Sequence, residues 1–139
     1  MITIIKNVKR GKQKPEYDGY RFDSDLELRY YRDVLKQAPI TDLVVQPMVH
    51  LADATRYRGK KLQPVKYTLD FKFTAPCGRE IWVDVKGFAT DIHKLKRRLF
   101  ISRYPDKHMY WVCYSKMDGG WIEHDALQAA RRKRKRGAK

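Results

Sequence analysis

The segment EIWVDVKGF, which begins at Glu80, alternates in a way that restricts what this chain can fold into. Successive side chains of a β-strand point to opposite faces, so the aliphatic residues of the segment share one face. Trp82, Asp84 and Lys86 then share the other face. The alternation predicts a strand with one face in the core and an acid and a base on the other. An ion pair within the strand and a chemical site both remain open explanations of that second face.

The segments around this strand predict an α/β fold of α+β type with a mixed sheet. Helices are expected from about Ser24 to Gln37 and from about Thr90 to Arg103. Residues 6 to 21 are expected to be irregular, and DATRYRGKKLQ is expected to be a basic loop. Further strands are expected in LVVQPMVHL, VKYTLDFKF and HMYWVCYS. The predicted order is α-β-β-β-α-β, with VKYTLDFKF and the strand of Asp84 forming a hairpin.

The length of 139 residues is enough for one core of ordinary size. A basic segment with glycine and proline precedes the first helix, and the last nine residues, RRKRKRGAK, hold seven basic side chains. We therefore expect a basic N-terminal arm over residues 1–16, a folded domain over residues 17–130 and a disordered basic tail over residues 131–139.

The formal charge of the chain is +15, and residues 1–130 keep +8 of it without the tail. A field of this sign attracts polyanions. The sequence has no apolar run near the roughly 20 residues that cross a bilayer, so nucleic acid is a better candidate partner than a membrane. A merely solvated basic surface remains the alternative explanation.

The compartment is predicted from two weaker features. The N-terminal segment MITIIKNVKRGKQK has only a short apolar start and does not resemble a signal peptide. Cys77 and Cys113 have neither metal-ligand spacing nor the pattern of a disulfide framework. These features favour a reducing cytoplasm.

Glu27 is an acidic residue on the apolar side of the first predicted helix. At 100° per residue it falls inside the stripe formed by Leu26, Tyr30 and Val34. The same glutamate also fits a capping box that begins at Ser24, in which its side chain would reach back to a backbone N–H. The cap and a functional acid therefore remain equal alternatives.

Asp70 interrupts VKYTLDFKF on the face opposite Tyr67 and Phe71. By itself it could be an ordinary polar residue on a solvated face. Together with Glu27, Asp84 and Lys86, it leaves three carboxylates against one ammonium group, and buried charges need partners. A divalent cation would supply the missing positive charge, and oxygen-only ligands favour Mg²⁺ or Mn²⁺.

Glu27, Asp70, Asp84 and Lys86 together resemble the PD-(D/E)xK nuclease motif, with an aspartate, thirteen residues, and then D-V-K. Across about residues 17–112, the segments YDGYRFDSDLELRYY, LVVQP, VKYTLDFKF, WVDVKGF and KLKRRLF resemble small phage-encoded endonucleases related to phage Holliday-junction resolvases. Two positions depart from the motif: Leu69 replaces its proline, and Asp84 replaces the more frequent glutamate.

The resemblance implies a restriction-endonuclease-like αβββαβ core and metal-dependent hydrolysis of DNA, with branched DNA as the preferred substrate. It implies that Asp70 and Asp84 hold Mg²⁺ or Mn²⁺ and that Glu27 completes the metal site. Lys86 would orient the attacking water or neutralise the phosphate. Because symmetric incision of a junction needs two active sites, the resemblance also implies a homodimer.

The second helix and the tail supply the candidate DNA-binding residues. Ile92, Leu95 and Leu99 are expected to face the core, which would direct most basic residues of the helix outward. Lys96 lies between the two faces. It could reach toward the scissile phosphate or lie on the surface without contacting DNA, and the sequence favours neither alternative. The candidate phosphate contacts are Lys94, Lys96, Arg97, Arg98, Arg131, Arg132, Lys133 and Arg134.

A non-catalytic basic protein that binds nucleic acid is the rival prediction. Such a protein does not need three acids in one place, and uncompensated acids would repel phosphate. An RNA-binding protein is a weaker alternative, because the chain has no recognisable aromatic platform for single-stranded bases.

Overall fold

The computed structural model describes residues 13–137, and within that range α-helices pack on a mixed sheet. The predicted α/β class, with helices on a mixed sheet, is therefore confirmed. The strands are β1 (Glu16–Tyr17), β2 (Tyr20–Arg21), β3 (Thr41–Val45), β4 (Met48–Ala52), β5 (Thr55–Tyr57), β6 (Lys60–Leu62), β7 (Val65–Thr68), β8 (Phe71–Thr74), β9 (Glu80–Val85), β10 (His108–Ser115) and β11 (Gly120–Glu123). The helices are α1 (Asp25–Tyr30), a π-helical turn (Tyr31–Leu35), α2 (Asp91–Arg103), a 3₁₀ turn (Lys116–Asp118) and α3 (His124–Gly137).

The main sheet contains five strands in the spatial order β11-β10-β9-β8-β3. β9 and β10 are parallel, and the other neighbouring pairs are antiparallel. α2 connects the two parallel strands, which need a long crossover. The predicted hairpin is the β8–β9 pair, and α1, β3, β8, β9, α2 and β10 follow the predicted order along the chain.

Two of the predicted strands are broken where the chain leaves the main sheet. LVVQPMVHL divides into β3 and β4 around Pro47, and VKYTLDFKF divides into β7 and β8 around Asp70. Leu69 N–H donates to the carbonyl of Pro47 at 2.9 Å, and Gln46 N–H donates to the carbonyl of Asp70 at 2.9 Å. The two breaks therefore lie side by side, and β4 and β7 pair with each other outside the main sheet.

Two segments expected to be irregular are short hairpins instead. The predicted basic loop forms the antiparallel pair β5–β6, and part of the predicted N-terminal irregular region forms the pair β1–β2. Both hairpins turn through two residues with positive φ, Asp18-Gly19 and Arg58-Gly59. Two-residue turns of this kind match the twist of paired strands, a signal that composition alone does not reveal. Residues 1–12 of the predicted arm lie outside the described range.

The core has two parts, one on each face of the main sheet. On one face, α1, the π-helical turn and Phe22 pack on Phe71, Phe73 and Val83. On the other face, Phe100 of α2 and residues of β4 and β7 pack on Trp82. The predicted alternation of β9 is therefore confirmed, and its second face lies beneath α2 and β7.

The predicted orientation of α2 is wrong. Ile92, Leu95 and Leu99 are exposed by 66%, 59% and 38%, while Phe100 is fully buried. The face of α2 that approaches the protein includes Arg97, whose guanidinium lies 4.8 Å from the centre of the Trp111 ring. A contact between a cation and an aromatic ring takes the place of the aliphatic contact that the spacing predicts.

The predicted disordered tail is also wrong where it can be described. α3 runs from His124 to Gly137 and includes residues 131–137, while the last two residues lie outside the described range. Leu127 is buried and anchors the helix, and Arg134 pairs with Asp118. The boundary expected at residue 130 falls inside this helix. None of the helices in residues 13–137 is long and apolar enough to cross a membrane.

Candidate active site

The C-terminal end of β9 holds Asp84 beneath α2 and β7, and Lys86 follows directly after the strand. The Lys86 ammonium lies 2.8 Å from Oδ2 of Asp84, and the two side chains are 11% and 3% exposed. The ion pair within the strand, one of the two predicted explanations, is therefore present. It is almost entirely shielded from solvent, where an ion pair is costly unless further hydrogen bonds complete it.

Tyr67 supplies one of those further bonds. Its hydroxyl donates to Oδ2 of Asp84 at 2.6 Å and accepts from the Trp111 indole N–H at 3.0 Å. Trp111 lies opposite Asp84 on the neighbouring strand β10. Burial and the charge of Asp84 raise the pKa of Tyr67, which keeps the phenol protonated and able to donate. Two donors, the Lys86 ammonium and the Tyr67 hydroxyl, therefore hold Oδ2 of Asp84, and Trp111 holds the tyrosine.

Asp70 reaches the same place from the break between β7 and β8. The β8–β9 register pairs Phe71 with Val83, and one further step along the strands brings Asp70 opposite Asp84. Asp70 Oδ2 accepts the Val85 backbone N–H at 2.7 Å, and the residue is 8% exposed. Of the explanations open for Asp70, an ordinary polar position on a solvated face is therefore excluded, because the strand break turns the side chain into the protein.

Glu27 forms the predicted cap, and its side chain is also buried near Asp70. Its carboxylate accepts the Asp23 backbone N–H at 3.1 Å and the Ser24 hydroxyl at 3.2 Å, while Ser24 Oγ accepts the Glu27 N–H at 3.2 Å. This is a capping arrangement in which the N–H that the glutamate binds belongs to Asp23 rather than to Ser24. The same side chain is 7% exposed and close enough to Asp70 to affect its ionisation.

The three carboxyl groups lack positive charge. Burial raises the pKa of Asp70 well above its usual range, and the neighbouring carboxyls of Asp84 and Glu27 raise it further. Burial also raises the pKa of Glu27. A carboxyl group that keeps its proton against another carboxylate marks a place where a cation would be stabilised.

The donor set of these residues fits a hard divalent cation. All three side chains offer oxygen atoms, which suit Mg²⁺ or Mn²⁺, and their surplus negative charge is the charge that such an ion would balance. No three metal-ligating side chains within residues 13–137 already converge as a ready-made cation site. In the structure, protein donors occupy Oδ2 of both aspartates, so a cation bound at Oδ2 of Asp84 would compete with Lys86 and Tyr67 for that atom.

A cavity of about 530 Å³ opens beside Lys86. Its wall includes Lys94 of α2, the exposed Phe88, His124 at the start of α3, and Arg131 and Arg132 further along that helix. We call Glu27, Asp70, Asp84 and Lys86 the buried cluster. The cavity therefore combines the lysine of the buried cluster with cations from two helices. A strand of nucleic acid whose phosphate lay at Lys86 would find further cations along this wall.

The predicted phosphate contacts fall into two groups. Lys94, Arg98, Arg131, Arg132 and Lys133 are exposed, as a phosphate contact requires. Two other predicted contacts are already engaged: Arg97 bonds to both carboxylate oxygens of Asp125 at 2.9 and 2.7 Å, and Arg134 bonds to Asp118. These two arginines stabilise the position of α3.

Lys96 is half-buried near His93 on the inner side of α2. Burial and the charges of Lys86 and Lys96 lower the pKa of His93, so this histidine lies beside the buried cluster rather than on a plain helix surface. Its Nδ1 atom has no hydrogen-bond partner among the residues of the described range. The sequence does not single out His93 or Tyr67, because their approach to Asp84 depends on the strand break and on the rotation of α2.

Comparison with known proteins places the chain in one family. Residues 7–118 match the family described as "Protein of unknown function (DUF1064)", which covers most of the chain, so the protein belongs to that family. The match includes every residue of the buried cluster. No curated protein and no solved structure matches the chain.

Proposed function

We propose that this protein is a metal-dependent DNA endonuclease of restriction-endonuclease-like fold. The observation that carries the proposal is the shared burial of Glu27, Asp70, Asp84 and Lys86, in which Lys86 pairs with Asp84 and the carboxyls of Asp84 and Glu27 raise the pKa of Asp70. These are the residues of the PD-(D/E)xK resemblance, and they come from elements in the order α-β-β-β-α-β. The buried shortage of positive charge would be unfavourable in a protein that had no cation to bind there.

Each residue of the cluster has a role that its position supports. Asp70 and Asp84 would hold the cation, with Glu27 as the third acid. When bound, a divalent cation would lower the pKa of a coordinated water and neutralise charge on the phosphate. Lys86 would donate to the attacking water or to a phosphate oxygen, since an ammonium can donate but cannot ligate. Tyr67 would keep Asp84 in position.

The proposed substrate is branched DNA, such as a four-way junction, in the cytoplasm of a bacterial host. The substrate class rests on the resemblance to phage Holliday-junction resolvases. What supports DNA in general is the exposed cations beside the Lys86 cavity, which continue along α3. A polyanion would lie against these cations while one phosphate approaches Lys86.

A homodimer is part of this proposal, because paired incision of a junction needs two active sites. What supports a second copy is the outward stripe of Ile92, Leu95 and Leu99 on α2, an aliphatic surface on the helix that also covers the site. Sedimentation of the wild type should give a dimer, and Leu95→Asp should convert it to a monomer. A monomeric wild type would remove this part of the proposal and leave single-strand nicking possible.

The rival function is DNA binding without catalysis. It uses the same exposed cations but assigns no task to the buried acids. The two functions differ in what a cation does, since a binding protein should retain DNA equally well in Mg²⁺ and in chelator without cutting it.

The test is incubation of the purified protein with a four-way junction, a flap and a linear duplex of the same sequence, each in Mg²⁺, Mn²⁺ or EDTA. We expect cutting that needs the cation and is fastest on the junction. The matched control is Asp84→Asn, which keeps the shape of the side chain and removes its charge. Equal cutting of junction and duplex would exclude the junction preference, and binding without cutting in either metal would favour the rival function.

A further inference from the structure

Two antiparallel pairs, β4–β7 and then β5–β6, follow one another away from the main sheet, and residues 53–54 and 63–64 are unpaired between them. We call residues 48–68 the ribbon. The pairs run from Met48 with Thr68 near the sheet to Tyr57 with Lys60 at the far end, with one irregularity after His50. The near end lies at the active site, because Tyr67 of β7 donates to Asp84. The ribbon therefore extends outward from the buried cluster.

The inner part of the ribbon is fixed to the protein. Val49 and Leu51 are buried in the core on the α2 side. The Tyr104 hydroxyl donates to the carbonyl of His50 at 2.7 Å, and Arg103 pairs with Asp53 at 2.7 Å. Beyond Asp53 the ribbon has no such support, and every residue of β5 and β6 is exposed. We call residues 55–62 the ribbon tip.

The ribbon tip is strongly basic and has no acid of its own. It carries Arg56, Arg58, Lys60 and Lys61, and none of these four has a carboxylate partner among the residues that the structure describes. Arg56 lies directly opposite Lys61 across the pair. Like charges at opposed positions destabilise a strand pair, so the tip is less stable alone than it would be beside a polyanion.

The turn of the ribbon tip also contains a residue that the turn does not favour. Arg58 has φ +49° and Gly59 has φ +77°, and the first of these two positions favours Asn, Asp or Gly. The β1–β2 hairpin of the same protein has the same kind of turn with the favoured pair, Asp18-Gly19. An arginine at the outermost point of the ribbon therefore costs backbone energy, and turn formation does not explain it.

We propose that the ribbon tip enters the major groove of a duplex arm of the substrate DNA, with Arg58 at the deepest point. The major groove of B-form DNA admits a two-stranded ribbon, and arginine can contact phosphates or a guanine edge there. This inference rests on the proposed endonuclease function, because it needs DNA at the neighbouring active site.

The length of the ribbon sets where the contact falls. Tyr67 of β7, which bonds to Asp84, and Lys60 of β6 are seven residues apart, which spans at most about 23 Å at roughly 3.3 Å per residue. At about 3.4 Å of DNA axis per base pair, the tip reaches DNA within about seven base pairs of the scissile phosphate. The ribbon tip thus holds the duplex arm while the active site holds the cleaved strand.

An alternative use of these cations is to prevent the two free edges of the ribbon from pairing with other chains, as lysines on edge strands often do. That use requires charge but not DNA. It predicts that neutral substitutions promote aggregation and weaken DNA binding no more than the removal of equal charge elsewhere.

The test compares Arg58→Asn/Lys61→Gln with Arg32→Gln/Arg79→Gln, which removes the same charge from residues outside the ribbon and the active site. Asparagine suits the left-handed position, so the hairpin should form at least as well as in the wild type. Affinity for a four-way junction and for a duplex is measured in EDTA over a range of salt, together with thermal unfolding and methylation protection of guanine N7 in the major groove.

We expect the affinity of the ribbon variant to fall by about tenfold or more and its salt slope to fall by about 0.9 to 1.8, which corresponds to one phosphate contact if Arg58 binds a guanine edge and to two if it binds a phosphate. Guanine protection within about seven base pairs of the cut should weaken. The melting temperature should not fall, and the control variant should bind nearly as the wild type does.

Equal effects of the two double variants would overturn the proposal, and so would unchanged binding with new aggregation of the ribbon variant. If the wild type still cuts DNA in either case, the endonuclease function survives and only the ribbon contact is excluded. A wild type that neither binds nor cuts DNA removes both proposals.

Discussion

The buried acids and the exposed cations of this protein are held in opposite ways. Asp84 is fixed by Lys86, Tyr67 and, through Tyr67, Trp111, all of them shielded from solvent. The cations of the ribbon tip and of most of α3 have few partners and reach into solvent. A fixed and desolvated group can do chemistry at one atom, whereas exposed charges act together through their field. Substitutions of the buried acids should therefore reduce cleavage, whereas substitutions of the exposed cations should reduce DNA binding.

The largest effect is expected at the centre of the buried cluster. Asp84→Asn removes the charge that would hold the cation, so Mg²⁺-dependent cleavage should fall by roughly a thousandfold. DNA binding in EDTA should persist, because the exposed cations are unchanged. Asp70→Asn should behave in the same way. Single-turnover cleavage and binding are measured on the same preparations, and full cleavage in Asp84→Asn would exclude the nuclease function.

Lys86→Ala separates the donor of the cluster from its ligands. Cleavage should fall by roughly a hundredfold or more, since lysine would stabilise charge in the transition state. Stabilisation of the protein by Mg²⁺ in thermal unfolding should remain, because an ammonium does not ligate a metal. Loss of that Mg²⁺-dependent stabilisation in Lys86→Ala would mean that the lysine has no role separate from the acids.

Glu27→Gln gives the next effect and distinguishes the cap from the proposed metal-site role of Glu27. Glutamine can still accept the Asp23 N–H, so the unfolding free energy should change by less than about 1 kcal/mol. If Glu27 is also the third acid of the metal site, cleavage should fall by roughly a hundredfold. Cleavage and thermal unfolding are measured side by side, and normal cleavage would assign Glu27 to the cap alone.

The parts of the site that follow local rules are predictable from the sequence. The alternation of β9, continued one residue past its end, places Asp84 and Lys86 together on one side, and the Ser24-to-Glu27 spacing predicts a cap. The burial of Asp70 is not predictable from the pattern of its own strand, because it depends on a hydrogen bond between Leu69 and Pro47, which are distant in sequence. No periodicity within a single strand contains that information.

The helices α2 and α3 also depend on contacts that a single sequence does not specify. The spacing of Leu95 in α2 predicts an inward side chain, but the contact of Arg97 with Trp111 and Asp125 turns the helix the other way. The composition of the basic segment of α3 predicts disorder. Leu127 and the Arg134 pair with Asp118 anchor it as a helix. Contacts between elements decide both outcomes, and a single sequence does not specify them.

A smaller effect is expected on the exposed side, in α3. Replacing Arg131, Arg132 and Lys133 by glutamine keeps a good helix former at each position and leaves the Arg134 pair intact. DNA affinity should fall, and the salt slope should decrease by about 0.9 for each phosphate that these side chains neutralise in the wild type. Thermal unfolding should barely change. An unchanged salt slope would show that this face of α3 does not contact DNA.

The smallest effect is expected at Arg97, which lies between the buried acids and the exposed cations. The sequence predicts a phosphate contact for this arginine, but it lies against Trp111 and bonds to Asp125. Arg97→Gln should therefore cost about 1 kcal/mol of stability and leave the salt slope unchanged. The neighbouring Arg98 is exposed, and Arg98→Gln should do the reverse.

The pH dependence of Arg97→Gln tests the same contact, because the Arg97 side chain holds the pKa of Asp125 below its usual value. A lowered carboxyl pKa stabilises the fold above the unfolded value of about 3.9, and that contribution is lost as the pH falls through the folded pKa. Chemical unfolding of wild type and Arg97→Gln at neutral pH and near pH 3 should therefore give a smaller difference at the acid end. A difference that grew toward low pH would mean that the pairing with Asp125 does not stabilise α3.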